Sequence, residues 1–324
     1  MKYRTLGRTG LEVSEIAFGG GFVGGLLIHQ DDATKRAAIR RALAAGVNWI
    51  DTAPMYGDGQ SEEALGWLLK EVEAEPHVST KVMLDPARLD DIKSQIEESL
   101  RESFSRLKRD SVALMQLHNP IEAEASGHAV GVADVLRRGG VADTLDRLRD
   151  EGLFDFIGIT ALGNGEALKA VLGSGRFDTA QVYYNMLNPS AGRAMPAPWS
   201  GHDFAGLMDV CRAQAVGVMN IRVLAAGVLA SDTRTGREGE IFAGIGIESE
   251  ERRAAAALEA LGEGHGTRAQ LAIRHALAIP DIGTVVVGMA EIDHLEQALG
   301  AVELGPLPAE AIQSLVPREQ RASC

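Results

Sequence analysis

The sequence predicts an α/β fold, a (β/α)8 TIM barrel entered through an N-terminal β-hairpin. Three observations carry that prediction. Eight short β-like runs alternate with helix-like stretches along the 324 residues, as parallel strands joined by helical crossovers do. The longest helix-like stretch has one apolar stripe, which suits a helix covering a sheet. Irregular segments at 20–31, 119–138, 185–202 and 224–248 follow predicted strands, where a barrel builds its functional loops. A doubly wound open sheet is the alternative. No composition break marks a linker, so residues 1–324 read as one domain.

Tyr3–Leu6 and Leu11–Val13 flank Gly7-Arg8-Thr9-Gly10, two strand-like runs around a turn. The eight β-like runs are Ile16–Gly19, Asn48–Asp51, His77–Val82, Val112–His118, Phe154–Thr160, Thr179–Tyr184, Val216–Val223 and Thr284–Gly288. Helical stretches lie at 33–45, 61–73, 89–107, 139–151, 164–173, 203–215, 267–278 and 291–302. Another, at 249–261, reads as an insertion before the eighth unit. In 89–107 the apolar residues Leu89, Ile92, Ile96, Leu100, Phe104 and Leu107 recur every three or four positions. After the second run, Thr52-Ala53-Pro54 ends the strand, because proline cannot donate to a ladder. Glu62 and Glu63 then suit the first turn of a helix.

Gly19-Gly20-Gly21-Phe22-Val23-Gly24 matches G-x-G-x-x-G after a strand. A dinucleotide-binding turn would open a helix at once and place an acid about 20 residues on. Here the helical pattern starts only near Asp32, and the next strand-end acid is Asp51. The glycines, Gly20 and Gly21 among them, instead let backbone approach a ligand.

The formal charge is −13 and the pI about 5.1, which argues against a nucleic-acid surface or an anionic membrane. Cys211 and Cys324 are the only cysteines, so neither a disulfide framework nor a cysteine zinc site is expected. The expected compartment is the reducing cytoplasm. The N-terminus has no apolar signal core, and the apolar run from Ile16 to Ile28 is short and holds five glycines. No metal is expected, since the eight histidines show no His-x-His spacing.

Four strand-end groups carry the chemistry: Asp51, Tyr56, Lys81 and His118. They follow the second, third and fourth strands, neighbours in a barrel. A lysine at the end of an apolar strand needs a carboxylate partner when buried, and Asp51 supplies one. A cation beside Tyr56 is expected to lower the phenol pKa and make it a usable proton donor and acceptor. His118 is placed to orient a carbonyl oxygen. The set suits protonation of an oxygen that gains charge as hydride arrives.

Trp49-Ile50-Asp51-Thr52-Ala53, Tyr56-Gly57, Thr80-Lys81 and Leu117-His118-Asn119-Pro120 resemble motifs of the aldo-keto reductase family. The resemblance runs from the hairpin to about Gly305. It implies a barrel that binds NAD(P)(H) without a Rossmann fold, with Tyr56 as general acid and base, Lys81 and Asp51 as its tuning pair, and His118 on the carbonyl. It also implies nicotinamide contacts from Thr160 and Gln181, with Ala161 where the family has Asn. Ile221 stands at the ring-stacking position, Arg222 is a candidate phosphate contact, and Leu224, Ala226, Gly227 and Leu229 resemble the pyrophosphate cradle.

At the last strand, Gly288 is followed by Met289, Ala290 and Glu291, where NADP-preferring members place Lys or Arg. His294 and Gln297 occupy further positions of the adenosine site, and Ala298 completes the departure. A carboxylate repels a 2′-phosphate and accepts from a ribose hydroxyl, so NAD(H) is favoured slightly over NADP(H). Phe22, Met55, Tyr56, His118, Asn119, Met186 and Trp199 are the expected pocket walls for a small carbonyl, alcohol or sugar. The Phe156-Ile157-Gly158-Ile159-Thr160 and Val287-Gly288-Met289 segments are similar to the NAD-dependent aldose and galactose dehydrogenase branch, which makes an aldose 1-dehydrogenase the alternative. An alternative of another class is a nicotinamide-binding regulatory subunit. The sequence leaves the substrate, the working direction and the oligomeric state open.

Overall fold

Antiparallel pairing of β1 (Tyr3–Thr5) with β2 (Glu12–Ser14) makes the predicted hairpin. The computed structural model describes residues 1–21, 23–195, 197–199, 201–233 and 246–315. The chain continues through β3 (Ile16–Gly19), β4 (Trp49–Asp51), β5 (His77–Val82) and β6 (Val112–Leu117). A small parallel pair, β7 (Ile121–Glu122) and β8 (Val130–Gly131), follows inside the loop after β6. Then come β9 (Phe154–Ala161), β10 (Thr179–Tyr183), β11 (Gly217–Ile221) and β12 (Ile282–Gly288). Eight of these strands close a parallel barrel in the order β3-β4-β5-β6-β9-β10-β11-β12, with β12 returning to β3. The fold is the predicted (β/α)8 barrel, and the open-sheet alternative is excluded by closure.

Period-two alternation divides each strand. Ile50, Val78, Met115, Leu117, Ile157 and Ile159 face outward and join the core shared with the helices. The helix Ile92–Leu107 buries Ile92, Ile96, Leu100 and Leu107 there, as its apolar spacing predicts. Leu89 stands just before it, at the end of the short turn Pro86–Arg88. Inside the barrel's lower end, Leu6, Val13, Ala17, Trp49, Leu114, Met219 and Val286 pack together. Leu6 is the plug that the hairpin delivers. A Cβ at Gly217 or Gly283 would lie 2.7 or 2.9 Å from its side chain, so glycine at those positions admits it.

Expected helix 203–215 forms only over Leu207–Ala213. Its first residues are held out of the helix, because Phe204 N donates to Ser190 Oγ (3.0 Å) and Gly206 adopts a left-handed φ of 69°. The helices Leu26–His29, Val132–Leu136 and Ala309–Ser314 were not predicted. They are too short to show a period. The insertion helix runs over Ile247–Leu261. Among the described residues no helix is long and apolar enough to cross a membrane.

The G-x-G-x-x-G segment does not form a dinucleotide turn. Gly24 packs on the backbone of Met289, where an added Cβ would come within 2.4 Å, and Leu26 N donates to Met289 O (2.9 Å). The glycines let the loop after β3 dock on the end of β12.

Candidate active site

The C-terminal ends of β4, β5 and β6 bring Asp51, Lys81 and His118 to one face of the barrel, and the loop after β4 adds Tyr56. Lys81 is fully buried and Asp51 nearly so. The lysine ammonium has three hydrogens and no acceptor. It donates to Asp51 Oδ2 at 2.7 Å, to the Thr52 carbonyl at 2.8 Å and to Tyr56 OH at 3.1 Å. Each hydrogen has one partner. The phenol oxygen therefore accepts from Lys81, and its own hydrogen is left for another group. The Lys81 ammonium also lies 4.7 Å from the centre of the Tyr56 ring. His118 meets that ring edge-on, with centroids 5.7 Å apart. Its Nδ1 is buried and has no partner among the described residues.

The electrostatics partly reverse what the sequence predicts. Burial pushes the Tyr56 phenol above its ordinary value, Lys81 pulls it down, Asp51 pushes it up and Arg222 pulls it down. Burial wins, so the phenol is raised, not lowered toward neutrality. Burial also works against a charged Lys81, but Asp51 and then Tyr56 overcome it and hold the ammonium above its usual range. His118 is driven well below the usual imidazole range by burial, then by Lys81 and Arg222. At neutral pH the site holds a phenol, an ammonium and a neutral imidazole.

Behind Asp51 lies a set of donors that the sequence reading missed. Its Oδ1 accepts from Ser79 Oγ at 2.7 Å, Gln181 Nε2 at 2.7 Å and Gln116 Nε2 at 3.3 Å. Trp49 Nε1 in turn donates to Ser79 Oγ at 3.0 Å. Trp49 and Ser79 stand two residues before Asp51 and Lys81 on the same strands, hence on the same faces, and Gln116 stands two before His118, but that spacing alone does not mark a donor to Asp51. Gln181, expected on a nicotinamide, has its amide nitrogen on Asp51, and Thr160 Oγ1 donates to its oxygen at 3.4 Å.

The remaining expected residues divide into those at open positions and those consumed by packing. Gly288 ends β12 with nothing within 4 Å of an added Cβ, and a Cβ added at Gly21 would meet only the Tyr56 ring, at 3.8 Å. Gly20 is closed, since an added Cβ would lie 2.5 Å from Ser61 Oγ. Arg222 is half-buried in a left-handed conformation (φ 61°), and no acid among the described residues pairs with it. Ala225, Ala226 and Gly227, after Val223 and Leu224, are left-handed as well, while Leu224 and Leu229 pack into a core under the loop. Ile221 packs on the barrel interior. Glu291 and His294 are exposed, with Ala290 N donating to His294 Nδ1 at 3.1 Å. Gln297 Oε1 accepts from Thr267 Oγ1 at 2.6 Å.

Of the expected pocket walls, Met55 is 49% exposed beside Tyr56. Asn119 is not a wall. It is fully buried, its Oδ1 accepts from Leu84 N, and its Nδ2 donates to Leu84 O and His128 O. A short polar side chain after a strand serves to tie two loops here. Met186 belongs to the core under the loop after β11. Trp199 donates to His202 O at 3.3 Å and carries the Arg253 guanidinium 5.0 Å over its ring, so its ring is engaged by the insertion helix. Phe22 lies outside the described residues. No group of acid, His or Cys side chains among the described residues can hold a metal.

The sequence model described as the aldo/keto reductase family matches residues 15–316. The chain is 28% identical over 307 residues to the L-galactose dehydrogenase of Arabidopsis thaliana, covering 93% of this chain and 88% of that one. It is 27% identical over 249 residues to a D-threo-aldose 1-dehydrogenase of a Pseudomonas species, covering 68% and 69%. The solved holo form of an aldo-keto reductase from Bacillus halodurans superposes with a TM-score of 0.75 over 99% of both chains, at 24% identity, which is a likeness of fold.

Proposed function

The chain belongs to the aldo/keto reductase family, and from that premise we propose how it works as an NAD(P)-dependent oxidoreductase. It interconverts an aldehyde or ketone and an alcohol, with Tyr56 as general acid and base. The observation that carries this reading is the Lys81 ammonium, which bonds Asp51 and Tyr56 together at the mouth of the barrel. Because Lys81 donates to the phenol oxygen, the phenol hydrogen is free to pass to a substrate oxygen. The raised phenol is protonated at neutral pH and serves as the acid of the reducing direction. As the proton leaves, the phenolate forms against Lys81, which stabilises it. Neutral His118 offers a hydrogen bond to the same oxygen. In the oxidising direction the phenolate takes the proton back.

A dinucleotide suits the mouth. Lys81 and Arg222 set two cations against the one carboxylate of Asp51, and both are felt at His118. Gly21 and Gly288 leave room for backbone approach. The bound nicotinamide supplies or accepts the hydride. Glu291 is exposed at the start of the helix Ile292–Leu304, with no capping bond from its side chain. A carboxylate there disfavours a 2′-phosphate, so NAD(H) is used at least as well as NADP(H). The substrate is a small sugar or related carbonyl. Support for a sugar comes from the similarity to the two dehydrogenases above. The free, buried Cys211 suits a reducing cytoplasm.

Titration of the purified protein with NADH and NADPH, followed by fluorescence, tests this. NADH is expected to bind as tightly as NADPH or tighter, and Glu291→Arg to move the ratio toward NADPH by up to about tenfold, the worth of one close charge pair. A clear wild-type preference for NADPH overturns the reading of the last strand. No binding of either nucleotide overturns the oxidoreductase.

A further inference from the structure

Asp51 is held by more donors than its lysine. Ser79, Gln116 and Gln181 all donate to Oδ1, and Lys81 alone takes Oδ2. The hydrogen directions are fixed by chemistry. An indole N–H can only donate, so Ser79 Oγ accepts from Trp49 and spends its one hydrogen on Asp51. Every group facing the carboxylate is a donor.

The space for this set is built in. A Cβ on Gly158 would lie 2.2 Å from Thr179 Oγ1 and 3.3 Å from Gln116 Cγ. Glycine at that inward position makes room for Thr179 and keeps a side chain from crowding Gln116 on its way to Asp51. Gln181 bridges Thr160 and Asp51 from β10, on the far side of β9 from Gln116. Three strands therefore converge on one carboxylate oxygen.

We propose that Ser79, Gln116 and Gln181 are positioning residues for proton transfer at Tyr56. By saturating Oδ1 they leave Oδ2 as the single acceptor for Lys81 and fix the carboxylate's rotation. That rotation aims the ammonium. Its other two hydrogens are then spent on Thr52 O and Tyr56 OH. Losing a donor lets Asp51 turn and present both oxygens to Lys81, which draws the ammonium away from the phenol. The groups facing Tyr56 are Lys81 from β5, Asp51 from β4, His118 after β6 and Arg222 after β11. Of these, the donors act on Asp51 and through it on Lys81. The inference rests on the proposed role of Tyr56.

Reduction of 4-nitrobenzaldehyde by NADH, or by NADPH if that binds better, tests it across pH, with nucleotide titration alongside. Ser79→Ala and Gln181→Leu are each expected to lower kcat about tenfold, a part of what one charged hydrogen bond is worth. KM and nucleotide Kd are expected to stay within about twofold. The basic limb of the kcat profile is expected to move upward, because a weakened Lys81 contact raises the phenol further. Ser79→Thr keeps the hydroxyl and is expected to restore both. Gln116→Leu, with the longer 3.3 Å contact, is expected to do less, and it stands in if Ser79→Ala fails to fold. Unchanged kcat and limb in Ser79→Ala and Gln181→Leu overturn the proposal. So does a Gln181→Leu defect confined to nucleotide Kd, which would place Gln181 on the nucleotide. A Tyr56→Phe variant as active as wild type overturns the oxidoreductase reading, and this inference falls with it.

Discussion

The two ends of the barrel interior are lined by the same strands, two residues apart, and follow opposite rules. At the lower end Trp49, Leu114, Met219 and Val286 close around Leu6 from the hairpin. One step up the same inward faces, Trp49 gives way to Asp51 and Leu114 to Gln116, while on β5 both Ser79 and Lys81 turn to the carboxylate. The lower layer needs only to exclude water, and its stability scales with the apolar area it buries. The upper layer must pay desolvation for an acid and an ammonium at nearly full burial. It persists because the donors around the pair match its acceptors. Trp49 belongs to both layers: its ring packs below and its N–H feeds the chain through Ser79 to Asp51. The contrast teaches that rigidity is supplied from below and chemistry is placed above, where Asp51 and Lys81 are each held by other polar groups.

The largest test is to separate the two. Tyr56→Phe is expected to cut kcat by about 10²–10⁴-fold, the usual worth of a positioned acid or base. It leaves unfolding free energy within about 1 kcal/mol, since Tyr56 is half-buried and keeps its ring. Leu6→Ala is expected to do the converse. Leu6 is fully buried, so its truncation costs about 2–5 kcal/mol of stability, while kcat measured well below the melting transition stays within about twofold of wild type. Urea unfolding and steady-state rates on both variants check the pair. A Leu6→Ala enzyme that unfolds like wild type, or that loses turnover while folded, breaks the division of labour between the two ends.

The two ends also differ in how far the sequence revealed them. Strand positions were legible because inward and outward residues alternate and the helices between them carry a regular apolar stripe. Asp51, Tyr56, Lys81 and His118 were legible because each is a costly residue at the end of an apolar run. Ser79 and Gln116 were not, because an uncharged polar residue inside a strand has no signature until the facing strand is known. Register supplied it: Lys81 pairs with Gln116, and Gln116 with Gly158. The rise in the phenol's pKa was missed for a related reason. A neighbouring cation is visible in sequence, but the depth of burial that outweighs it is not. Asn119, expected as a pocket wall, is instead a buried tie between two loops, because its side chain is used up on Leu84 and His128.

A finer test puts the comparison on a pH axis with one histidine from each end. His118 stands at the mouth, and His77 begins β5 with its ring 5.4 Å from that of Trp49. Both are depressed from the ordinary 6.5, His77 by burial against an opposing Asp155, and His118 far more, by burial reinforced by Lys81 and Arg222. The sign follows from linkage. When the folded pKa lies below the unfolded one, the unfolded chain binds the proton first. The stability is therefore fully present above pH 6.5 and is lost as pH falls below it. Because His118 is the more deeply desolvated and the cations Lys81 and Arg222 add to that, the loss assigned to His118 exceeds that assigned to His77. In urea unfolding at stepped pH, His118→Gln is expected to flatten the acid slope more than His77→Gln, with both variants close to wild type at neutral pH. Equal flattening would mean that neither deeper desolvation nor the cations at the mouth set His118 apart from His77. A steeper slope in His118→Gln would mean that the imidazole is charged in the folded protein, which removes the neutral donor assigned to the carbonyl.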